Sequence, residues 1–260
     1  MGGYILSVNA ATSTGLRDKN QDVFFADGFL SSSEIIENQY YSNEFFEDGK
    51  LHVFAVCDGV GMYANSGAAA EAALLAIKEK QSIINAYADN FDIDTVRKWA
   101  EDALIAARDA LFEYCDKNQT TGSATIVLLA IVNEFYVMVN TGDSPAFVVK
   151  NEEISEISVR HNMSTLKKML GAIPVEEEAR ILLHHLGEEE LIFEEKYGKM
   201  SQNEIFFICS DGVSNVFDEK GLLKRLKEKK DASFFVSFAS KIPEADNCSS
   251  IIISLNKQSD

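Results

Sequence analysis

Eight short runs rich in Val, Ile and Phe, interrupted by three zones of helical spacing, limit what this chain can fold into more than any other feature of its sequence. The runs lie at 4–8, 23–26, 51–57, 124–132, 135–140, 146–150, 205–209 and 251–255, and Gly, Asn, Asp or Ser bounds most of them. Such segments read as strands. Helical spacing marks an Ala-rich stretch at 65–80 and a longer one at 93–117, where Val96, Trp99, Ala103, Ala106, Ala107 and Ala110 fall on one side. A third zone, 219–230 followed by 232–240, precedes the last run. Two consecutive long helices between groups of strands do not fit the alternation of a doubly wound parallel sheet. They predict an α+β fold with antiparallel sheets and helices packed outside. Asn133-Glu134 and Asn151-Glu152 sit at strand ends as hairpin turns. From 160 to 203 the strand signal fades among Glu176-Glu177-Glu178 and Glu188-Glu189-Glu190, which predicts an exposed subdomain.

A core for such a fold is available: 46% of the residues are hydrophobic, 25% are charged and only 3 are proline, outside the disordered regime. At 260 residues the chain is expected to form one domain over 1–260, with a flap-like part around 160–199. Lys and Arg number 24 against 41 Asp and Glu, a net charge of −17. A body this acidic repels phosphate backbones and anionic lipid, so nucleic acid and membrane are excluded as partners of a basic surface. Cys57, Cys115, Cys209 and Cys248 are too scattered for a zinc knuckle or redox pair and read as buried free thiols. No apolar stretch reaches the ~20 residues of a membrane span, and the start lacks a signal-peptide pattern. A cytoplasmic monomer is the expectation.

Four aspartates stand out from the solvated acidic remainder. Asp58 ends the run 53–57 and precedes Gly59; Asp211 follows 205–210 and precedes Gly212. Asp143 has the same placement in Asn140-Thr141-Gly142-Asp143, and Asp246 stands just before the final strand. Asp58 and Asp211 each mark a place where a buried strand leaves the core, and the adjacent Gly lets the backbone turn or approach a ligand closely. Carboxylates gathered at the edge of a core repel one another unless a cation neutralises them. Oxygen-only donors point to Mg²⁺ or Mn²⁺ rather than zinc, and the adjacent His184-His185 lacks the spacing of a helical zinc site. No phosphate-binding Gly-rich loop and no G-x-S-x-G elbow is present, which leaves metal-assisted hydrolysis as the chemical class.

Six elements, in order from Arg17 to Asn247, resemble those of the metal-dependent phosphatases of the protein phosphatase 2C family, in its short bacterial form. Arg17-Asp18-Lys19-Asn20-Gln21-Asp22 is similar to the R-x-x-N-Q-D element, and 53–61 (V-F-A-V-C-D-G-V-G) to V-x-D-G-x-G. The stretch 121–125 (T-G-S-A-T) resembles the small-residue strand entry, and 140–144 (N-T-G-D-S) the N-x-G-D-S element. Residues 209–213 (C-S-D-G-V) and Asp246-Asn247 complete the series.

The resemblance implies two antiparallel sheets stacked as a sandwich with helices on both outer faces, a four-layer α-β-β-α arrangement. It implies that Asp58 bridges two Mg²⁺ or Mn²⁺ ions, that the Gly59 carbonyl binds one of them and that Asp211 and Asp246 complete the other. Asp22 would hold metal-bound waters, Asp143 and Asp211 a third ion, and Arg17 the substrate phosphate. The implied activity is hydrolysis of phosphoserine and phosphothreonine in proteins by a metal-bridging hydroxide, with Arg17 and Asp22 as catalytic residues. Two dications about 3.5–4 Å apart generate such a nucleophile at neutral pH, and a guanidinium fork holds two phosphate oxygens. The chain departs from the pattern at Val60, Met62-Tyr63, Pro145 and Arg160-His161-Asn162. With Val60 where eukaryotic members carry His, protonation of the leaving group would fall to water. Two alternatives stay open: a weakly catalytic module that binds a phosphorylated partner, and a small-molecule phosphatase on the same scaffold.

Overall fold

The structure, a computed structural model, describes residues 4–46, 49–61, 63, 65–87 and 91–257. Among the described residues, twelve strands form two six-stranded antiparallel sheets. The first sheet contains β1 (Tyr4–Ser13), β4 (Gln39–Phe46), β8 (Ala146–Lys150), β9 (Glu153–Glu156), β11 (Ile205–Cys209) and β12 (Cys248–Lys257), in the order β4-β1-β12-β11-β8-β9. The second runs β10-β7-β6-β5-β2-β3, from β2 (Asp22–Ala26), β3 (Phe29–Leu30), β5 (His52–Asp58), β6 (Ile126–Val132), β7 (Phe135–Thr141) and β10 (Glu194–Lys199).

Burial parity shows why the apolar runs are continuous rather than alternating. Phe54, Val56, Val127 and Leu129 of one sheet meet Val8, Phe206, Ile208 and Ile253 of the other in a shared inter-sheet core. Their sequence neighbours Val53, Ala55, Ile126 and Leu128 point the opposite way, against α1 (Ser66–Tyr87) and α2 (Ile93–Lys117). On the far side Phe207, Cys209 and Ile252 are covered by α4 (Asp211–Ser214), α5 (Glu219–Lys227) and α6 (Ala232–Ala239). Both faces of the central strands are therefore dry, and the layers stack α-β-β-α as the sequence pattern and resemblance predict. Continuous apolar strands usually signal parallel sheets; here helices outside and a second sheet inside give antiparallel strands the same two-sided burial.

Helix α2 occupies the predicted 93–117. Asp92 caps it, accepting from the Thr95 amide at 2.7 Å, and Val96, Trp99, Ala100, Ala103, Leu104, Ala107 and Leu111 form its buried stripe. The small residues Ala69, Ala70 and Ala73 of α1 are fully buried in the same core. The predicted turns are present: β6 and β7 pair across Asn133 (φ 50°), and β8 and β9 across Asn151 and Glu152 (φ 51° and 67°). Between β9 and β10 lie α3 (Met163–Met169) and a 3-10 turn at Glu176–Arg180. No helix among the described residues is long and apolar enough to cross a membrane.

Candidate active site

Asp22 opens β2 and Asp58 closes β5, and the register places the two directly opposite each other. Like charges facing across an antiparallel pair are destabilising unless something answers them. Asp22 is completely buried; Ser210 Oγ donates to its Oδ2 at 2.6 Å, while Oδ1 has no partner. Burial, then the neighbouring Asp211 charge, pushes the Asp22 carboxyl up to about 7 against the Ser210 and Ser249 hydrogen bonds. Asp58 is raised well above the ordinary carboxylate range by burial first and then by the charges of Asp22, Asp211, Asp143 and Asp246.

Asp211 does not continue the strand that precedes it. It starts α4 immediately beyond β11, where Asn215 Nδ2 donates to its Oδ2 at 3.1 Å. Burial and the Asp246 charge raise it, and the Asn215 bond and the Asp58 carboxyl within hydrogen-bonding reach oppose the rise. Asp143 follows the last residues of β7; burial and then Asp211 push it up to about 7, with Arg160 and Asn162 pulling the other way. The glycines beside two of these aspartates are steric requirements. A Cβ on Gly59 would sit 2.8 Å from Ser66 Cβ and 2.9 Å from the Gln21 carbonyl oxygen, and one on Gly212 would sit 2.0 Å from the Asn247 carbonyl oxygen.

Asp58, Gly59, Asp143, Asp211 and Asp246 line one pocket of about 500 Å³ together with Arg17. Asp22 lies behind it in the core and reaches it only through its neighbours. Arg17, expected to face the substrate, donates through Nη2 to Asp246 Oδ2 at 2.8 Å, with both side chains about half exposed. Asn247 explains why the adjacent Asp246-Asn247 matters: its Oδ1 accepts from the Gln21 amide at 2.8 Å, and its Nδ2 donates to the carbonyls of Thr14 and Lys19 at 2.8 and 2.9 Å. The loop carrying Arg17 is thereby tied to the start of β12. The elements at 121–125 and 140–144 meet through the Thr125 and Ser144 hydroxyls, 2.6 Å apart, and the Asp58 amide donates to Thr125 Oγ1 at 3.3 Å.

The donor set fits hard divalent cations in kind: mutually repelling carboxylates beside Gly59 at one pocket, with an orphaned carboxylate oxygen behind them. Among the described residues no three His, Cys, Asp or Glu side chains already close a cage around one point, so water would have to complete the coordination. Cations that keep several waters accept this arrangement.

Several contributors gain their place at the site only through the fold. Ser210 is a single hydroxyl inside an apolar stretch, and Tyr63 enters through its main chain, its carbonyl accepting from Gln21 Nε2 at 3.0 Å. Arg180 and Leu182 line the pocket from the stretch where periodicity fails. Arg160 is a brace, donating to Glu156 at 2.8 Å and to Ser214 Oγ at 3.2 Å. Met62, one of the departures from the family pattern, lies outside the described residues.

Two stacked antiparallel sheets whose strand ends collect carboxylates and a guanidinium in one pocket define a phosphatase architecture. The chain belongs to the protein phosphatase 2C family, whose model matches residues 38–247. It is 22% identical over 231 residues to the serine/threonine phosphatase stp of Listeria innocua serovar 6a, covering 84% of this chain and 90% of that protein. The solved S. agalactiae serine/threonine phosphatase superposes with a TM-score of 0.76 at 16% identity, over 96% of this chain and 99% of that one. The catalytic domain of the serine/threonine protein phosphatase PstP, solved with two manganese ions, does so with a TM-score of 0.74 at 17% identity, over 98% and 100%.

Proposed function

We propose that the protein hydrolyses phosphoserine and phosphothreonine in proteins with the help of Mn²⁺ or Mg²⁺. One observation carries this reading: Asp58, Asp143, Asp211 and Asp246 share a single pocket with Arg17. The names of the relatives, serine/threonine phosphatases, support the substrate class.

Asp58 and the Gly59 carbonyl, with Asp211 and Asp246, would hold two ions, and Asp143 with Asp211 a third. Such ions lower the pKa of a bound water and polarise the phosphoryl oxygens. The chain's own groups do the rest. Asp22, fixed by Ser210, stands behind the carboxylates, and its unpartnered Oδ1 would be the acceptor left for a water beside the ions. Arg17 is pre-aimed: its guanidinium already donates to one oxyanion of the pocket, Asp246, and exchanges that partner for phosphate oxygens when substrate enters. The Asn247 clamp keeps the Arg17 loop from drifting, which matters because a guanidinium fork is useful only in register with its phosphate. Four free, buried cysteines are consistent with a reducing cytoplasm.

The test is phosphate release from matched phosphoSer, phosphoThr and phosphoTyr peptides with Mn²⁺, with and without EDTA. EDTA-sensitive release from the first two is expected. Preference for phosphoTyr, or release indifferent to EDTA, would contradict the reading.

A further inference from the structure

His185 lines a groove of about 1010 Å³ that adjoins the carboxylate pocket and shares Arg17, Val60, Asp143, Asp211 and Asp246 with it. The residue comes from the stretch after the 3-10 turn, and that stretch is sewn to the element at 121–125. The Leu186 amide donates to the Ala124 carbonyl at 2.9 Å, and Gly187 passes so close to Ser123 that a Cβ there would sit 2.6 Å from the Ser123 hydroxyl oxygen. The Ser123 carbonyl in turn accepts from the Val60 amide at 2.8 Å, and Ala124 is bridged to Gly59. The imidazole is thereby tied, through Ser123, to the main chain that follows Asp58, beside Val60, whose aliphatic side chain offers no donor.

The ring's own bonds decide where its proton sits. Nδ1 accepts from the Gly187 amide at 3.1 Å and lies 2.7 Å from Ser123 Oγ, whose hydroxyl donates to it as well. A nitrogen that receives an amide N–H carries no hydrogen of its own, so the partners assign the proton to Nε2. Burial lowers the basicity of the ring below the usual imidazole range; the Glu188 charge opposes this and His184 reinforces it. Nε2 makes no hydrogen bond or ion pair with any described residue, so a ring fixed at one edge presents an unused N–H at the other.

Ester cleavage places electrons on the leaving oxygen, and the side chains around the site differ in what they offer it. The carboxylates are acceptors. Arg17 is engaged by Asp246, and the Asn215 amide by Asp211. Lys19, Tyr63 and Arg180 line the pocket with no hydrogen bond or ion pair to a described residue that would fix their side chains. His185 differs from them: its N–H is free and its ring is held from behind, the condition under which a donor costs no reorganisation. It lines the groove and not the inner pocket, and an in-line displacement with attack from the carboxylate side sends the alcohol out on that side. We propose that His185 donates a hydrogen bond from Nε2 to the leaving oxygen of the phosphoester, with Ser123 and Gly187 holding the ring for it. The P–O bond breaks with its electron pair on that oxygen, the Nε2–H shares the charge as it develops, and water supplies the proton. This role rests on the phosphatase reading and deepens it.

The experiment sets two esters against each other on the Mn²⁺-loaded protein: a phosphoserine peptide, whose alkoxide is a strong base, and p-nitrophenyl phosphate, whose phenolate leaves without help. His185→Ala is expected to lower kcat on the peptide by about 10²-fold, the scale of losing one pre-placed donor, and on the aryl ester by no more than about threefold. His185→Gln, which returns an N–H to the same region, should recover most of the loss. A merely structural role would lower both esters alike and gain nothing from Gln. Equal losses on the two esters, an unchanged peptide rate, or no recovery with Gln would overturn the proposal. A second readout needs no turnover. In long-range nitrogen–proton NMR spectra of the Mg²⁺-loaded protein, the His185 ring should show the Nε2–H form, and its Nε2 signal should move when a slowly hydrolysed thiophosphoserine peptide is added. The Nδ1–H form, or a signal that stays in place, would also overturn it. Absent or EDTA-insensitive release from both esters by the unaltered protein would remove the phosphatase reading, while a moving Nε2 signal would still keep His185 as a donor to a bound phosphoester.

Discussion

Asp22 and Asp58 face each other on hydrogen-bonded strands of a sheet covered on both sides, whereas Arg180 and Ile181, which border the same site, come from a stretch that leaves its apolar side chains in water. Around the aspartates nearly every neighbour is fixed: Ser210, Thr125 and Asn247 are buried and hydrogen-bonded, and two glycines leave no room for a Cβ. Between 163 and 182 the contrast is complete. Leu166, Met169, Leu170, Ile173, Val175 and Ile181 are all exposed, Ile173 to 92%. The first region is stabilised by the core and strained by its own charge; the second contributes little to the core and keeps surface free. Chemistry demands sub-ångström placement and belongs on strand ends, while recognition tolerates a segment that adapts.

The comparison is broken most severely at Asp211. Asp211→Asn keeps the shape and removes one charge, and it is expected to reduce Mn²⁺-dependent phosphate release by roughly 10²–10³-fold, the scale of losing one pre-placed electrostatic group. Unchanged far-UV circular dichroism would separate this from unfolding. Gly212→Ala attacks the same end sterically: the new methyl would meet a main-chain oxygen at 2.0 Å, and a loss of about 3 kcal/mol in denaturant unfolding is expected. Asn247→Ala frees three main-chain partners, one of them buried, and should cost about 1–3 kcal/mol, with KM rising more than kcat falls because the Arg17 loop loosens.

A pH series sharpens the charge half of the contrast. Asp22 and Asp143 are pushed up to about 7 in the fold from the ordinary 3.8, so the metal-free protein is most stable where both are protonated and loses that stability as pH rises from about 4 through 7. Bound cations replace those protons. The Tm of EDTA-treated protein should therefore fall between pH 5 and pH 8, while the Mn²⁺-loaded protein holds its Tm; parallel curves would show that the carboxylates do not bind the ion. The smallest effect belongs to the other region: Ile173→Ser should change stability by no more than about 0.5 kcal/mol.

The same division decides how much was legible beforehand. Continuous apolar runs such as 53–57 and 205–209 encode two-sided burial, so the sandwich and the aspartates that end its strands could be read directly. Strand β1 runs on to Ser13, beyond the predicted 4–8, because Ala10, Ala11 and Thr12 are buried by pairing with β12 rather than by their own hydrophobicity. Strands β4 and β10 leave no apolar run in the sequence for a related reason. They are edge strands, and Gln39–Phe46 and Glu194–Lys199 carry the polar and charged side chains that edges use to avoid further pairing. At the site, Asp58 and Asp211 announced themselves through the glycine that follows each. Ser210 and Arg180 had no such marker, since a lone hydroxyl or arginine gains its meaning only from tertiary neighbours.

Isothermal calorimetry of Mn²⁺ binding at pH 7.5, on the unaltered protein and on Asp58→Asn, tests most directly that the strand-end carboxylates form a cation centre. At least two ions should bind the unaltered protein, with most of the heat lost in Asp58→Asn. Absence of binding, or titrations that superimpose, would contradict it.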